Sequence, residues 1–153
     1  MSRHYDDMVR IQAEVANWSQ ANFEEQRSKT HPQLVLNSLA PLLGLCEEFL
    51  ELSTSTSQVE QEDAIGDILI YLCDYASRLD INLADLLPAD SRGPYYLLAD
   101  AVHTLIHATL KHHQGIRGYD DLDFYQAQLR RGIENLFQSL NYRTTGINDW
   151  MRM

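Results

Sequence analysis

Apolar residues recur at helical spacing along most of the chain, and no stretch alternates apolar and polar residues as a half-buried strand would. The pattern predicts six helical segments, over residues 5–26, 41–52, 57–79, 82–87, 95–113 and 124–140. The fold class is therefore predicted to be all-α. We expect a four-helix bundle built from two helical hairpins, with an additional helix at the N-terminal side.

Breaks in the pattern set the predicted boundaries. A helix is expected to start at Thr30-His31-Pro32-Gln33, where Thr30 can cap and proline is tolerated in the first turn. Pro41 is then expected to kink or restart this helix, because proline lacks an N–H and clashes with the preceding turn. Residues 53–56 are predicted to form the turn of the first hairpin, after which Ser57 and Glu60 make a capping box. A loop at 91–94 is expected to separate the two halves of one domain of 153 residues, an acidic half over about 1–90 and a second over about 94–153.

Four acids stand at helical spacing inside the first hairpin. Glu48 and Glu51 are three residues apart on one helix, and Asp63 and Asp67 are four apart on the next. Apolar neighbours define the buried side of both helices, at Leu45, Phe49, Leu52, Ile65, Ile68, Leu69 and Leu72. An antiparallel hairpin is therefore expected to bring the four carboxylates together at an apolar interface.

Clustered carboxylates next to apolar side chains cannot all stay ionised without compensation, because desolvation and mutual repulsion both oppose it. A hard divalent cation resolves this conflict, since Mg²⁺ prefers oxygen ligands and keeps positions open for water or phosphate oxygens. The predicted cofactor is therefore Mg²⁺, with Mn²⁺ as a substitute. The alternative is that the acids are solvated and only the apolar positions matter.

Composition narrows the class of protein. The formal charge of −10 argues against long nucleic acid as a partner, although a free nucleotide can reach an acidic protein through a metal ion. Cys46 and Cys73 lie inside apolar helical patterns, which favours reduced cysteines in a cytoplasmic protein. No apolar run resembles a signal peptide or a membrane span, so no membrane partner is expected.

Two other groups of side chains invite a binding role. Trp18 and Phe23, in the phrase NWSQANF, are predicted either to pack in the core or to form a platform for a flat ring. His103 and His107 share one helical face at a spacing that a zinc site can use, but no cysteine lies nearby. A solvated or hydrogen-bonded face is the favoured interpretation of the histidines.

The phrases PLLGLCEEFLEL and EDAIGDILIYLCDYA resemble the MazG-like, all-α nucleotide pyrophosphohydrolases. That resemblance implies Mg²⁺-dependent cleavage of nucleoside triphosphates to monophosphate and pyrophosphate. It carries Glu48 and Glu51 onto the family's E-x-x-E and Asp67 onto the terminal Asp of the second motif. It also implies substrate contacts from Trp18 and Phe23, and from Tyr71 by likeness to dCTP-hydrolysing relatives.

The chain departs from the family pattern at two positions. Ala64 stands where the second motif, E-x-x-D, has its Glu, so Asp63 or Glu62 must supply that ligand. Asp63 is preferred, because on a helix it lies about 40° around the axis from Asp67. Leu50 replaces the small Gly that is common within E-x-x-E.

The second half is interpreted as a degenerate copy of the first hairpin, with Ala101 and Thr104 where the glutamates would stand. Lys111 and Arg117 are candidate phosphate contacts from this half, although exposed basic side chains are the simpler interpretation. The resemblance also implies a homodimer or homotetramer, and aromatic residues of this half that we expect to be exposed favour it. They are Tyr95, Tyr96, Tyr119, Tyr125 and Trp150.

Glu48 and Glu51 are both candidates for the general base, and Glu47 is a weaker one. Two other functions stay open beside the enzyme. One is a nucleotide-binding or sensing module that kept the metal site without turnover, and the other is a structural helical protein whose acids are incidental.

Overall fold

In the computed structural model of the chain, the described residues are 3–22, 33–86 and 98–143, and for 33–37 and 141–143 only the backbone. Five α-helices account for most of these residues: α1 Arg3–Asn22, α2 Gln33–Thr54, α3 Gln58–Arg78, α4 Leu98–His113 and α5 Leu122–Arg143. A 3₁₀ turn, Leu83–Leu86, follows α3. The described part of the chain contains no strand, and the all-α prediction is confirmed.

The helices form two hairpins that pack on each other. α2 pairs with α3 and α4 pairs with α5, while α2 also contacts α4 and α3 contacts α5. α1 lies outside this four-helix arrangement, against α3 and the 3₁₀ turn. One hydrophobic core includes residues from all five helices, from Met8 in α1 to Leu140 in α5. None of the described helices has the length and apolar character that crossing a membrane requires.

α2 is one continuous helix where the sequence predicted an interruption. It begins at Gln33, in agreement with the helix start predicted at 30–33, and passes through Pro41, so the prediction that the helix restarts at this proline is wrong. Proline removes an N–H from the helical ladder and its ring crowds the preceding turn, yet α2 continues through Pro41, which is buried in the packed structure. The helix also continues to Thr54, past the predicted end. The hydroxyls of Ser53 and Thr54 donate to the carbonyls of Phe49 and Leu50, at 2.8 and 3.1 Å, which suits these residues to the last turn.

The capping prediction for α3 is confirmed. Ser57 has an extended backbone, with φ −128° and ψ 158°, and its side chain accepts a hydrogen bond from the N–H of Glu60. In return, the Glu60 carboxylate accepts from the N–H of Thr56 at 2.7 Å. These bonds fix the direction in which α3 leaves the turn, and hence where its acids lie relative to α2.

Polar contacts fasten α1 to the end of α3. Gln12 donates to the carbonyl of Ile81 at 2.6 Å and accepts from the N–H of Leu83 at 2.9 Å. Further along α1, the hydroxyl of Ser19 accepts from Arg78, whose guanidinium also pairs with the Asp74 carboxylate at 2.9 Å. Residues later in α1 thus meet residues earlier in α3, and α1 runs antiparallel to α3 toward its acidic turn.

The second hairpin confirms most of its predicted core. Helical periodicity predicts buried positions at Leu97, Ala101, Leu105, Ala108 and Leu110 in the first helix of this hairpin, and at Leu129, Ile133, Leu136, Phe137 and Leu140 in the second. All five positions of the second helix are buried, as are Ala101, Leu105 and Ala108 of the first. Leu110 is the exception, because 47% of its surface is exposed, and Leu97 lies outside the described residues. Tyr125 was expected to be exposed but is fully buried, with its ring stacked on His112 at a centroid distance of 4.0 Å. Gly115 and Gly118 adopt positive φ in the connection, at 67° and 95°, which explains the glycines of this turn.

Candidate functional site

The four predicted acids lie near the turn of the α2–α3 hairpin. Glu48 and Glu51 stand in the last two turns of α2, and Asp63 and Asp67 in the first half of α3. Their exposure differs: only 9% of Glu48 is accessible, Asp67 is half-buried, and Glu51 and Asp63 are exposed. The Glu48 carboxylate therefore lies at the interface between the helices, and the other three carboxylates lie closer to solvent.

Glu48 is the centre of this cluster. Burial, and after it the charges of Asp67, Glu51, Glu47 and Asp63 in that order, together raise the pKa of its carboxyl from 4.5 to about 7. All three of the other predicted acids therefore act electrostatically on Glu48. One of its oxygens, Oε2, is buried with no hydrogen-bond partner. A buried oxygen without a donor, surrounded by other carboxylates, is a position that a cation would satisfy.

Asp67 shares these surroundings. Burial raises the pKa of its carboxyl, and the charge of Asp63 raises it further. The two aspartates therefore interact across one helical turn, as their spacing implies. Glu62 instead lies exposed, where its carboxylate accepts a hydrogen bond from Gln58 at 2.9 Å. Ala64, which replaces the expected glutamate, is 2% exposed and belongs to the interface between helices.

An open cleft of about 270 Å³ borders the cluster on the side of the turn. Glu51 and Asp63 line it together with Thr54, Ser55 and Glu60. Glu60 was interpreted only as a capping residue, and its pKa is lowered by the hydrogen bond from the backbone N–H of Thr56. The signal that points to it is the spacing Glu60-x-x-Asp63, which has the form of the family's second motif one turn early.

The cluster is not preassembled around a single point. Among the described residues, no three His, Cys, Asp or Glu side chains are placed to hold one metal ion. The same holds for His103 and His107: their ring centroids lie 5.6 Å apart, and the described part of the chain places no third ligand beside them. The donor set of the acidic cluster nevertheless suits Mg²⁺ or Mn²⁺, since it is all oxygen and includes the unpartnered Oε2 of Glu48.

Of the predicted substrate contacts, Tyr71 lies nearest to the acids. Burial raises the pKa of its phenol, and the charges of Glu48, Glu47 and Asp67 follow as causes. Trp18 is 52% exposed, so the prediction that it packs in the core is wrong. It stands near the end of α1, next to Ser19, on the end of this helix that points toward the acidic turn of α3. Phe23 lies outside the described residues.

Lys111 and Arg117 lie at the other end of the bundle. Burial raises the pKa of the Tyr75 and Tyr125 phenols, and the hydroxyls of Thr109 and Ser38, which both lie beside these phenols, partly offset that rise. The C-terminal turn of α4 therefore meets the beginning of α2. At 1.5 Å per residue, Ser38 precedes Glu48 by about 15 Å along α2.

Within one chain, Lys111 and Arg117 therefore lie at the opposite end of the bundle from the acids. Lys111 is half-buried, and its amino group lies 3.5 Å from the Gln114 side-chain oxygen, while Arg117 is exposed. At the corresponding place in the second hairpin, Ala101 is buried and Thr104 donates to the carbonyl of Asp100, so this hairpin carries no acid at these two positions.

No protein-family model, curated protein or solved structure matches this chain. The residues and geometry described above are therefore the basis on which a function is proposed.

Proposed function

We propose that this protein is a Mg²⁺-dependent nucleoside triphosphate pyrophosphohydrolase, which converts a (d)NTP to the monophosphate and pyrophosphate. The observation that carries the proposal is the buried, unpartnered oxygen of Glu48 within a group of four further carboxylates. In a purely structural helical protein such an arrangement would only lower the stability of the fold, because repulsion and desolvation both oppose folding. The resemblance of both acidic phrases to the MazG-like family supplies the class of reaction.

In this proposal the acids have two roles, metal binding and general-base catalysis. Glu48, Glu51, Asp63 and Asp67 would hold Mg²⁺, which when bound supplies positive charge against the triphosphate oxygens and the departing pyrophosphate. A carboxylate takes a proton from the attacking water as its oxygen bonds to the α-phosphorus. The bond from this phosphorus to the bridging oxygen breaks, and the electron pair leaves with pyrophosphate. Glu48 and Glu51 are both candidates for this base.

The base and sugar would be contacted from two sides. Tyr71 stands at the edge of the cluster on α3, and Trp18 presents an exposed indole on α1. Stacking of a base on an aromatic ring contributes about 1–3 kcal/mol in single-strand binders, which is enough to set a preference among nucleotides. The cleft at Glu51 and Asp63 leaves the acids open to solvent on the remaining side.

A screen for pyrophosphate release tests the proposal. Each NTP and dNTP is incubated with the protein and Mg²⁺, and the products are separated. We expect monophosphate and pyrophosphate in equal amounts from at least one nucleotide, with Glu48→Gln inactive and Glu62→Gln active. Release that is equal in wild type and Glu48→Gln, or absent from all eight nucleotides with both Mg²⁺ and Mn²⁺, contradicts it.

A second candidate is a nucleotide-binding or sensing module without turnover. Ala64 favours it, since the position at which the family carries a glutamate is here a small buried residue in the helix interface. Binding of a Mg²⁺-nucleotide with no pyrophosphate release would establish this function instead. Restoration of release by Ala64→Glu would identify the missing carboxylate as the cause.

We also propose that the protein is a homodimer or homotetramer in the cytoplasm. Supporting this, α2 exposes Leu43 and Leu50, at 60% and 62%, and α4 exposes Ile106 and Leu110, at 40% and 47%. α2 and α4 contact each other, and exposed large apolar side chains on adjacent helices favour a surface that another protein covers. A monomeric mass by light scattering at micromolar concentration would contradict self-association.

A further inference from the structure

At Gly44 the backbone of α2 meets the ring of Tyr71. A Cβ atom on residue 44 would overlap the ring carbons, so the ring occupies the space that any other residue would fill. Gly44 is buried and lies one turn before Glu48, while Tyr71 lies one turn after Asp67. The contact therefore belongs to the layer of the hairpin directly next to the carboxylate cluster.

The ring is held between the backbone of α2 and its own helix. A tyrosine has few rotatable bonds, and its hydroxyl position follows from where its ring can lie. The ring atoms nearest to a Cβ on residue 44 include Cζ, which bears the hydroxyl, so the hydroxyl lies against α2 one turn before Glu48. Burial, and then the charges of Glu48, Glu47, Asp67 and Asp74, raise the pKa of this phenol. The absence of a side chain at residue 44 thus decides how near to the acids the hydroxyl stands.

We propose that Gly44 is a positioning residue, which lets the Tyr71 ring lie against α2 and so holds the phenol hydroxyl at the edge of the Glu48–Asp67 cluster. The inference rests on the proposed function for its ligand, a cation-bound triphosphate. There the hydroxyl donates a hydrogen bond to a phosphate oxygen that the acids alone would repel. Gly44 itself contacts no ligand and acts only through the tyrosine.

The chain offers two matched controls. A Cβ on Gly132 of α5 would overlap Leu105 of α4, a similar steric conflict in the hairpin that lacks the acids. Gly132→Ala therefore reproduces the packing defect without the proposed positioning effect. A Cβ on Gly66, beside Asp67 in α3, would meet nothing within 4 Å. Gly66→Ala therefore reproduces the change in helix propensity alone.

The first test needs no nucleotide and no turnover. Tb³⁺, a hard cation that prefers oxygen ligands, is added to saturation, and its emission is recorded on excitation of the tyrosines. Energy transfer falls steeply as the distance between a tyrosine ring and the cation grows. The Tb³⁺ emission that Tyr71→Phe loses relative to wild type is the share of the emission that Tyr71 sensitises. We expect Gly44→Ala to lose at least half of this share, and Gly132→Ala and Gly66→Ala to keep it. An unchanged share in Gly44→Ala, or no difference between wild type and Tyr71→Phe, overturns the inference.

The second test uses steady-state kinetics with a hydrolysed nucleotide. Gly44→Ala and Tyr71→Phe should each raise KM about threefold to tenfold, the weight of one hydrogen bond, with little change in kcat. The double variant should be no worse than Tyr71→Phe, because Gly44 acts through the hydroxyl. Additive losses, or an equal rise of KM in Gly132→Ala, overturn the positioning role.

The two proposals can fail separately. A Tyr71 share that Gly44→Ala diminishes, in a protein that releases no pyrophosphate, contradicts the proposed reaction and supports the placement of the ring. Pyrophosphate release with an unchanged Tyr71 share in Gly44→Ala supports the reaction and rejects the role of Gly44.

Discussion

Replacement of Glu48 by glutamine is expected to make the metal-free protein more stable at pH 8 and to change little at pH 4. The pKa of this carboxyl is about 7 in the folded chain against 4.5 as its ordinary value. The folded state therefore holds the proton more tightly than the unfolded state, and stability falls as pH rises from about 4.5 through 7. The difference corresponds to about 3 kcal/mol at pH 8, as an order of magnitude.

Glutamine has nearly the shape of the protonated acid but cannot ionise. Glu48→Gln should therefore escape most of this loss, and its free energy of unfolding should exceed that of wild type by up to about 3 kcal/mol at pH 8. Urea unfolding in EDTA, followed by circular dichroism at pH 4, 6 and 8, measures the difference directly. Glu62→Gln is the control, because that side chain is exposed at the surface of α3.

The reasoning is refuted by a stability difference that does not grow with pH, or by one that Glu62→Gln reproduces. A cation should act in the opposite sense. With millimolar Mg²⁺ at pH 8, wild type should recover stability by mass action while Glu48→Gln gains little, so the two variants should converge.

Three further outcomes follow from the structure. Asp63→Asn should abolish Mg²⁺-dependent pyrophosphate release nearly as fully as Asp67→Asn, whereas Glu62→Gln should retain most of it. Steady-state rates with one good nucleotide measure the difference. An inactive Glu62→Gln beside an active Asp63→Asn would show that the helical phase is wrong. Arg78→Met should lower the free energy of unfolding by about 1.5–3 kcal/mol, the contribution of a hydrogen bond to a charged group, since it removes the 2.9 Å ion pair with the buried Asp74 carboxylate. Urea unfolding measures that loss, and a change below about 1 kcal/mol would contradict it. In the same Arg78 variant Mg²⁺ should still raise the melting temperature, because the pair lies away from the acidic turn.

In the first hairpin, the features that depend only on neighbouring residues could be predicted from the sequence. Ser57 and Glu60 identify the start of α3 because the capping bonds involve only neighbouring residues. The spacing of Asp63 and Asp67 likewise predicts their interaction, since both belong to one helix. Local signals also predict the start of α2 at 30–33, but not that the helix continues through Pro41. Whether Pro41 ends a helix depends on tertiary packing around it.

Relations between helices were harder to predict. The place of Lys111 depends on which way α4 runs beside α2, and nothing in the local pattern specifies that direction. The burial of Tyr125 depends on His112 from the other helix of its hairpin. The role of Gly44 depends on the ring that α3 places against it. In each case the deciding contact joins residues that are distant in the sequence.

If Glu48 and its neighbours hold a divalent cation, the protein should bind Mn²⁺ in the absence of nucleotide. Free Mn²⁺ is counted by electron paramagnetic resonance during a titration at pH 8, where the carboxylates are ionised. We expect at least one bound Mn²⁺ per chain in wild type and in Glu62→Gln, and its loss in Glu48→Gln. Equal binding by wild type and Glu48→Gln, or none by wild type, would contradict it.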